Sequence, residues 1–402
     1  MLIDAVSKAV LTRALLSVAL HAVSCASRLS RGVRQEFAAQ GGVLTKQDTS
    51  PVTVADFGVQ ALVTMYLREH APLDTGGAAG TDFRLVAEED ADALAHDPAL
   101  LRTVTGLVNK YYPSGKPSGE KKPPRWQEAD VLDALSRGGD CGGAGSFWFL
   151  DPIDGTRGFV RGGHYAIGLG RVDDGVPTLA AVACPTLPPI SGSLGEEGVV
   201  EEAPGPGGAD HGYVFGATCD APALMMPLAD TDEMQAWDRP LETEWEGHMA
   251  LVAPEVAAGG GRASLLVAES FAGRLCAAQF RCFGAAEGAS SPAAFLRLDS
   301  MAKYCLVARG DADAYVRAPF DGEKRERIWD HAGALVVTAA GGRVSDFLGR
   351  PLDFSRGRGL EANLGVLATS GVAPQGLHDE MLACAPEAWP PLAEQAVSAG
   401  LQ

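Results

Sequence analysis

Asp151-Pro152-Ile153-Asp154-Gly155-Thr156 is the stretch of this chain with the clearest chemical content. Two acids three residues apart flank a proline-started turn, directly after the apolar run Ser146 to Leu150. Such a turn aims both carboxylates and the Ile153 carbonyl at one point, the all-oxygen arrangement that hard divalent cations need. Gly155 permits close backbone approach. Thr156 adds a hydroxyl, and the N–H groups after it open a helix start suited to a phosphate. A lone pair of acids in a loop is usually a solvated turn; a buried-type strand leading straight into it argues otherwise.

Three further acid positions complete a possible set. Glu88-Glu89 ends the apolar strand that begins at Phe83, where paired acids are costly unless exposed or neutralised. Asp56 lies near a helix start, where an ordinary first-turn acid would also suit the helix dipole. Asp330, before an apolar helix, reads equally as a helix cap. Taken together they suggest a carboxylate cluster holding two or more Mg2+ ions, with phosphoryl transfer to water as the natural chemistry.

The elements that must position these groups alternate along the chain. The pattern predicts helices over Thr53–Glu69, Ser300–Ala308, Trp329–Ala340 and Gly376–Cys384. It predicts strands over Phe83–Ala87, Ser146–Leu150, Tyr165–Val172, Thr178–Cys184, Tyr213–Ala217, Ser264–Glu269, Ala314–Arg317 and Asn363–Ala368. Asp97 to Gly145 is charged and bears Pro and Gly, with an evident loop at Lys116–Pro124; Gly192–Gly212 is an acidic loop insertion. Interspersed elements of this kind mean an α+β or layered α/β protein. The mixed stretch from Pro227 to Gly261 divides an N-terminal α+β domain, 1–240, from a C-terminal α/β domain, 241–402.

Composition narrows the function classes. The 402 residues carry 33 Lys and Arg against 51 Asp and Glu, a net charge of −18. That excludes a basic surface for nucleic acid or anionic membrane, though not one small anionic ligand bound through metal ions. No apolar run approaches the length of a membrane span. Eight cysteines show no zinc spacing and read as small buried hydrophobes in a reducing compartment, with a redox pair among Cys141, Cys219, Cys276 and Cys282 unsupported by pattern. The acid-poor start, Met1 to Gln35, has a composition that an organelle transit peptide would share, but reads in preference as a first helix with Leu15, Ala19, Ala22, Ala26 and Leu29 on one face. Localisation is therefore expected to be intracellular and soluble, in cytoplasm or organelle. Gly259-Gly260-Gly261 reads as a loop; His164, His211 and His248 as surface or polar-core residues; His331 as packed rather than metal-bound.

The set Glu88-Glu89, Asp151 to Thr156 and Trp329 to Gly333, in that order, resembles the magnesium-dependent, lithium-sensitive inositol monophosphatase superfamily. The stretches Gln47–Thr53, Asp151–Gly162, Ala183–Pro185, Lys303–Arg317, Arg327–Gly333 and Leu352–Ser355 are similar to its branch of 3'(2'),5'-bisphosphate nucleotidases. The resemblance runs from about Val23 to Ala368.

The resemblance implies a sugar-phosphatase fold of alternating helix and sheet layers with the site at the domain junction. It implies Glu88, Asp151, the Ile153 carbonyl, Asp154 and Asp330 as ligands of two or three Mg2+ ions, Asp151 bridging. Asp56 and Thr156 would orient and deprotonate the attacking water; Ser300, Lys303 and Arg317, with Thr156 and Asp330, would contact the substrate, and Glu89 would support Glu88. The implied reaction is hydrolysis of the 3'-phosphate of adenosine 3',5'-bisphosphate to AMP, and also of 3'-phosphoadenylyl sulfate, in sulfur assimilation. The partner is then a small nucleotide, with no nucleic acid and no membrane. Two departures stand out. The family's His-rich loop is here Ser270 to Arg274, with no histidine, and Gly333 stands where the family often has Ala. Insertions at Gly76–Gly80, Lys110–Pro124, Gly192–Gly212 and Ala229–Gly247 bear on access. The rival readings are an inositol-polyphosphate 1-phosphatase and a non-catalytic nucleotide-binding or redox-sensing protein.

Overall fold

The computed structural model describes residues 2–39, 51–71, 84–113, 125–187, 212–228, 250–251, 266–269, 294–317 and 326–388. The loops expected at Lys116–Pro124 and Gly259–Gly261 lie outside the described residues, as do the segment Ser270–Arg274, all or most of each insertion, Cys276, Cys282, His211 and His248.

Two sheets form the frame. The first has seven strands in sequence order: β1 (Leu85–Ala87), β2 (Ser146–Asp154), β3 (Ala166–Asp173), β4 (Val176–Cys184), β5 (Tyr213–Thr218), β6 (Ala221–Pro227) and β7 (Ala250–Leu251). β1 pairs parallel with β2, and every later pair is antiparallel. The second has five: β8 (Leu266–Glu269), β9 (Ala294–Arg297), β10 (Ala314–Arg317), β11 (Arg343–Ser345) and β12 (Val366–Thr369), in the order β11-β12-β10-β8-β9.

Helices fill the layers between and outside. α1 (Leu2–Ala39), α2 (Pro51–His70), α3 (Ala91–Ala95), α4 (Pro98–Tyr111) and α5 (Glu128–Ser136) precede β2. α6 (Thr156–Arg161), α7 (Ala302–Arg309), α8 (Gly333–Ala339) and α9 (Leu377–Ala388) follow. Residues along the first sheet alternate between two cores, as the period of a strand requires. Trp148, Leu150, Ala181 and Ala183 join the core under α1, α2, α4 and α5. Phe147, Phe149, Ala180 and Val182 join the core shared with α7, α8 and the second sheet. A sheet covered on both faces must be apolar on both, which is why these strands read as continuous apolar runs. The layered α/β arrangement with alternating helices and sheets is the one expected.

Three local differences stand out. The stretch from Asp97 to Gly145, for which no element was expected, holds α4 and α5. Asp97 caps α4 by accepting from the N–H groups of Ala99 and Leu100, Pro98 opens the helix, and Leu100, Leu101, Val104, Leu107 and Val108 are buried. The strand β6 was also absent from the sequence reading. And α1 is long and apolar enough to cross a membrane by composition, contrary to the expectation that no run approaches that length. Its apolar window is 72% buried inside the protein, however, so it serves as a core helix. The face predicted for it, Leu15, Ala19, Ala22, Ala26 and Leu29, is buried. Among the cysteines, Cys25, Cys184 and Cys305 are buried, but Cys141 and Cys219 are exposed rather than packed.

Gly333 has a packing role. A Cβ there would come 2.6 Å from Cβ of Tyr304 on α7, so the α7–α8 contact excludes any side chain. Gly333→Ala gains about 1 kcal/mol of helix propensity but incurs about 1–3 kcal/mol of overpacking. Net destabilisation is expected in thermal unfolding; a raised midpoint would show that Tyr304 yields freely.

Two histidines held in the neutral form set an acid limit. His378 on α9 joins Ser345 Oγ at 2.8 Å and Thr369 Oγ1 at 2.9 Å, linking the helix to β11 and β12. Burial, then Arg343, pulls its pKa from 6.5 to about 4. His164 is pulled to about 4 by burial and Arg34. Their neutral forms are favoured on folding, so that stability is complete above 6.5 and is lost as pH falls toward 4. The stability gap between the protein and His378→Gln should narrow over that fall, read by thermal unfolding. A gap independent of pH would remove His378 from the acid response.

Candidate active site

Asp151 and Asp154 are three apart, an odd spacing that would place them on opposite faces of a regular strand. The structure brings them together with a bulge rather than the turn expected from Pro152. Asp151 pairs with Gly168 and Asp154 with Ala166, so two intervening residues of β2 face one of β3. Ile153 accordingly drops into the core of α1 and α2, out of the phase set by Phe147 to Leu150. Pro152, with no N–H to give to a ladder, suits a bulge. Both acids then face the second sheet.

The backbone turns sharply after them. Gly155 has φ +86°, and a Cβ there would lie 2.8 Å from Ser300 Cβ. Thr156 opens α6 and donates its hydroxyl to the Ile153 carbonyl at 3.3 Å. Ser300 itself holds φ +82°, a conformation disfavoured for a residue with a Cβ. Its hydroxyl accepts from the Ala302 N–H at 3.2 Å, and the Met301 N–H donates to the Asp154 carboxylate. The start of α7 is thus joined to the end of β2.

The remaining acids converge on the same place. Asp56 is buried in the second turn of α2, whose first turn holds no acid, so it is not the dipole-pairing residue that its position suggested. Glu88 follows directly on the end of β1 and interacts with Asp151 and Asp154. Glu89 is held through its backbone, which exchanges hydrogen bonds with the Gln60 side chain at 2.8 and 3.0 Å. Asp330 lies in a 3-10 turn, Ile328–His331, ahead of α8, and makes no cap to that helix.

Each of these acids feels the charge of the others. Burial, then Glu89, Asp330 and Asp154, pushes Glu88 up to about 7. Burial and Asp330 push Asp154 up to about 6, against Lys303 and Arg317. Asp151 is pushed well up by burial, then by Asp154, Glu88, Asp330 and Asp56. Asp56 rises through burial, Glu89 and Glu88. Asp151 Oδ1 is buried with no hydrogen-bond partner. An all-oxygen donor set with an orphaned oxygen and mutual repulsion fits a hard divalent cation.

Two cations approach, Arg317 from β10 of the second sheet and Lys303 from α7. Arg317 donates to Asp330 at 2.8 Å and pairs with Glu326 at 2.7 Å. Lys303 is buried, donates to the carbonyls of Leu298 at 3.1 Å and Ser300 at 2.6 Å, and lies 5.2 Å from the Tyr315 ring centre. Burial pulls it down to about 8, with Asp154 opposing. Glu326 was missed by sequence reading. Burial alone would raise its carboxyl; Arg317, then His331, overcomes that and brings it to about 2. His331 packs as expected, bonded to Tyr304 Oη at 2.7 Å.

Glu326, Asp330 and His331 form the one group of three potential metal ligands, all within 4.8 Å of one another, among the described residues. Arg317 already supplies the positive charge there. The partnerless oxygen of Asp151 marks the better place for a cation.

Comparison with known proteins follows the same outline. The inositol monophosphatase family pattern matches residues 14–207 and 263–385. A 3'(2'),5'-bisphosphate nucleotidase of Emericella nidulans is 37% identical over 380 residues, 91% of this chain and 95% of that protein. One from Oryza sativa is 37% identical over 363 residues, 88% of this chain and 90% of that protein. One from Schizosaccharomyces pombe is 32% identical over 375 residues, 91% and 93% of the two chains. The acid cluster thus sits in an enzyme, a phosphatase, and the chain belongs to the inositol monophosphatase family.

Proposed function

We propose that this chain is a Mg2+-dependent nucleotidase that hydrolyses the 3'-phosphate of adenosine 3',5'-bisphosphate to AMP and phosphate, and acts also on 3'-phosphoadenylyl sulfate in sulfur assimilation. The observation that carries the reading is the crowding of Glu88, Asp151, Asp154 and Asp330 beside Asp56 and Thr156. The nucleotidase relatives support the substrate class.

In this reading Glu88, Asp151, the Ile153 carbonyl, Asp154 and Asp330 hold two or three Mg2+ ions. Bound there, the ions neutralise phosphate charge and lower the pKa of water. The chain's own residues do the rest. Asp56, with its proton affinity raised by burial, takes a proton from the attacking water through Thr156 Oγ1. Thr156 fixes the line of attack on phosphorus. Arg317, held by Glu326, and Lys303 present positive charge to the phosphates beside Ser300, and Glu89 steadies Glu88 through its neighbour Gln60. The division into domains 1–240 and 241–402, with the nucleotide contacts and Asp330 in the second, belongs to the same proposal. So does a soluble, intracellular setting, which the burial of α1 supports.

The test is phosphate release with Mg2+ from adenosine 3',5'-bisphosphate, its sulfated form and inositol phosphates. The bisphosphate should give the highest kcat/KM; a strong preference for an inositol phosphate would replace this reading with that of a polyphosphate 1-phosphatase.

Asp154→Asn removes one repelling charge without changing shape. Turnover should be abolished and the thermal stabilisation given by Mg2+ lost, while the metal-free protein unfolds no more easily than the parent. An active variant would refute the ligand assignment.

A further inference from the structure

Arg358 lies in the loop between a 3-10 turn, Phe354–Arg356, and β12, and no motif drew attention to it. Its guanidinium nevertheless makes one of the longest-range connections in the fold. Nη2 donates to the carbonyl of Ala87 at 2.5 Å, the residue immediately before Glu88 and 271 positions away. Nη1 donates to the carbonyls of Gly138 at 3.2 Å and Asp140 at 3.1 Å. Those two residues clamp β1 themselves: the Ala87 N–H donates to Gly138 and the Asp140 N–H to Leu85. The same guanidinium lies 4.8 Å from the ring centre of Trp329, the residue immediately before Asp330. The backbone adds a second tie. Ile328 N–H donates to the Arg358 carbonyl at 3.1 Å, and Leu360 N–H to the Glu326 carbonyl at 2.8 Å.

One planar cation therefore touches the chain next to two proposed metal ligands, Glu88 on the first sheet's edge and Asp330 beside the second sheet. The two acids themselves repel. A fork that serves three carbonyls while stacking on an indole is a task for guanidinium; an ammonium offers neither the plane nor the spread of donors.

We infer that Arg358 is a positioning residue that sets the spacing of Glu88 and Asp330 and thereby the protein's affinity for divalent cations. It touches neither substrate nor reacting atoms. The inference rests on the metal-site reading above.

The test compares the full-length protein with Arg358→Lys and Arg358→Ala. Mg2+ binding is followed by calorimetry and by the Mg2+-dependent shift in unfolding temperature, and kinetics are taken at varied Mg2+. Arg358→Lys should need roughly ten to a hundred times more Mg2+ for half-saturation, with substrate KM unchanged at saturating Mg2+. Added guanidinium at low, non-denaturing concentration should restore part of the Mg2+ affinity to Arg358→Ala. Unchanged Mg2+ affinity in a folded Arg358→Lys would overturn the inference, as would a loss confined to substrate KM. If Arg358→Ala does not fold, Arg358→Lys alone decides. A parent protein that binds no Mg2+ would overturn both the metal reading and this inference, whereas a parent that binds it beside an equally competent variant overturns the inference alone.

Discussion

Like charges held near one another govern this structure. Glu88, Asp151, Asp154 and Asp56 are each pushed toward the protonated form by burial and by one another. Separated carboxylates would cost less, so the surrounding fold must hold them at close range. Three devices do so: the bulge in β2, the Met301 N–H against Asp154, and the Gln60 amide on Glu89. A group of this kind is unfavourable alone and favourable once a cation enters, because the same closeness that raises the repulsion also concentrates the field on the ion.

Positive charge is placed in the site with restraint. Arg317 has two carboxylates as partners, Glu326 and Asp330. Lys303 is committed to two carbonyls and sits against Tyr315, with its affinity for a proton lowered by burial. Neither cation sits on Asp151. The acid at the centre of the cluster is left uncompensated by the protein, while the basic groups occupy the flank facing the second sheet.

Much of the site was legible because its residues carry their chemistry locally. Asp151, Ile153, Asp154 and Thr156 lie within six positions, and Glu88 ends a strand whose apolar run is plain. The layered fold was legible for a similar reason: Phe147 to Leu150 is apolar on both faces. What was hidden depends on distant partners. The bulge is a property of how β2 pairs with β3, and nothing in Pro152-Ile153 alone distinguishes it from a turn. Glu326 acts through Arg317 and His331, and Arg358 through carbonyls more than two hundred positions away. α4 was a different kind of miss. Its Asp97-Pro98 start and its spacing of leucines and valines were present in the sequence but were outweighed by the charges, Pro and Gly around them.

The bulge has a consequence for how this segment tolerates change. Side-chain identity at Pro152 and Ile153 affects packing, but the count of residues between the two acids decides whether β2 must bulge to keep Asp154 on the face of Asp151. Deleting one residue there would leave every charge in the protein in place and, by making the spacing even, keep both acids on one face, but it would abolish the bulge and disturb the Ile153 carbonyl that Thr156 contacts. Inserting one would set three residues of β2 against one of β3. Length, more than chemistry, is the invariant quantity here, so one codon gained or lost would do more harm than most replacements of the residues in between.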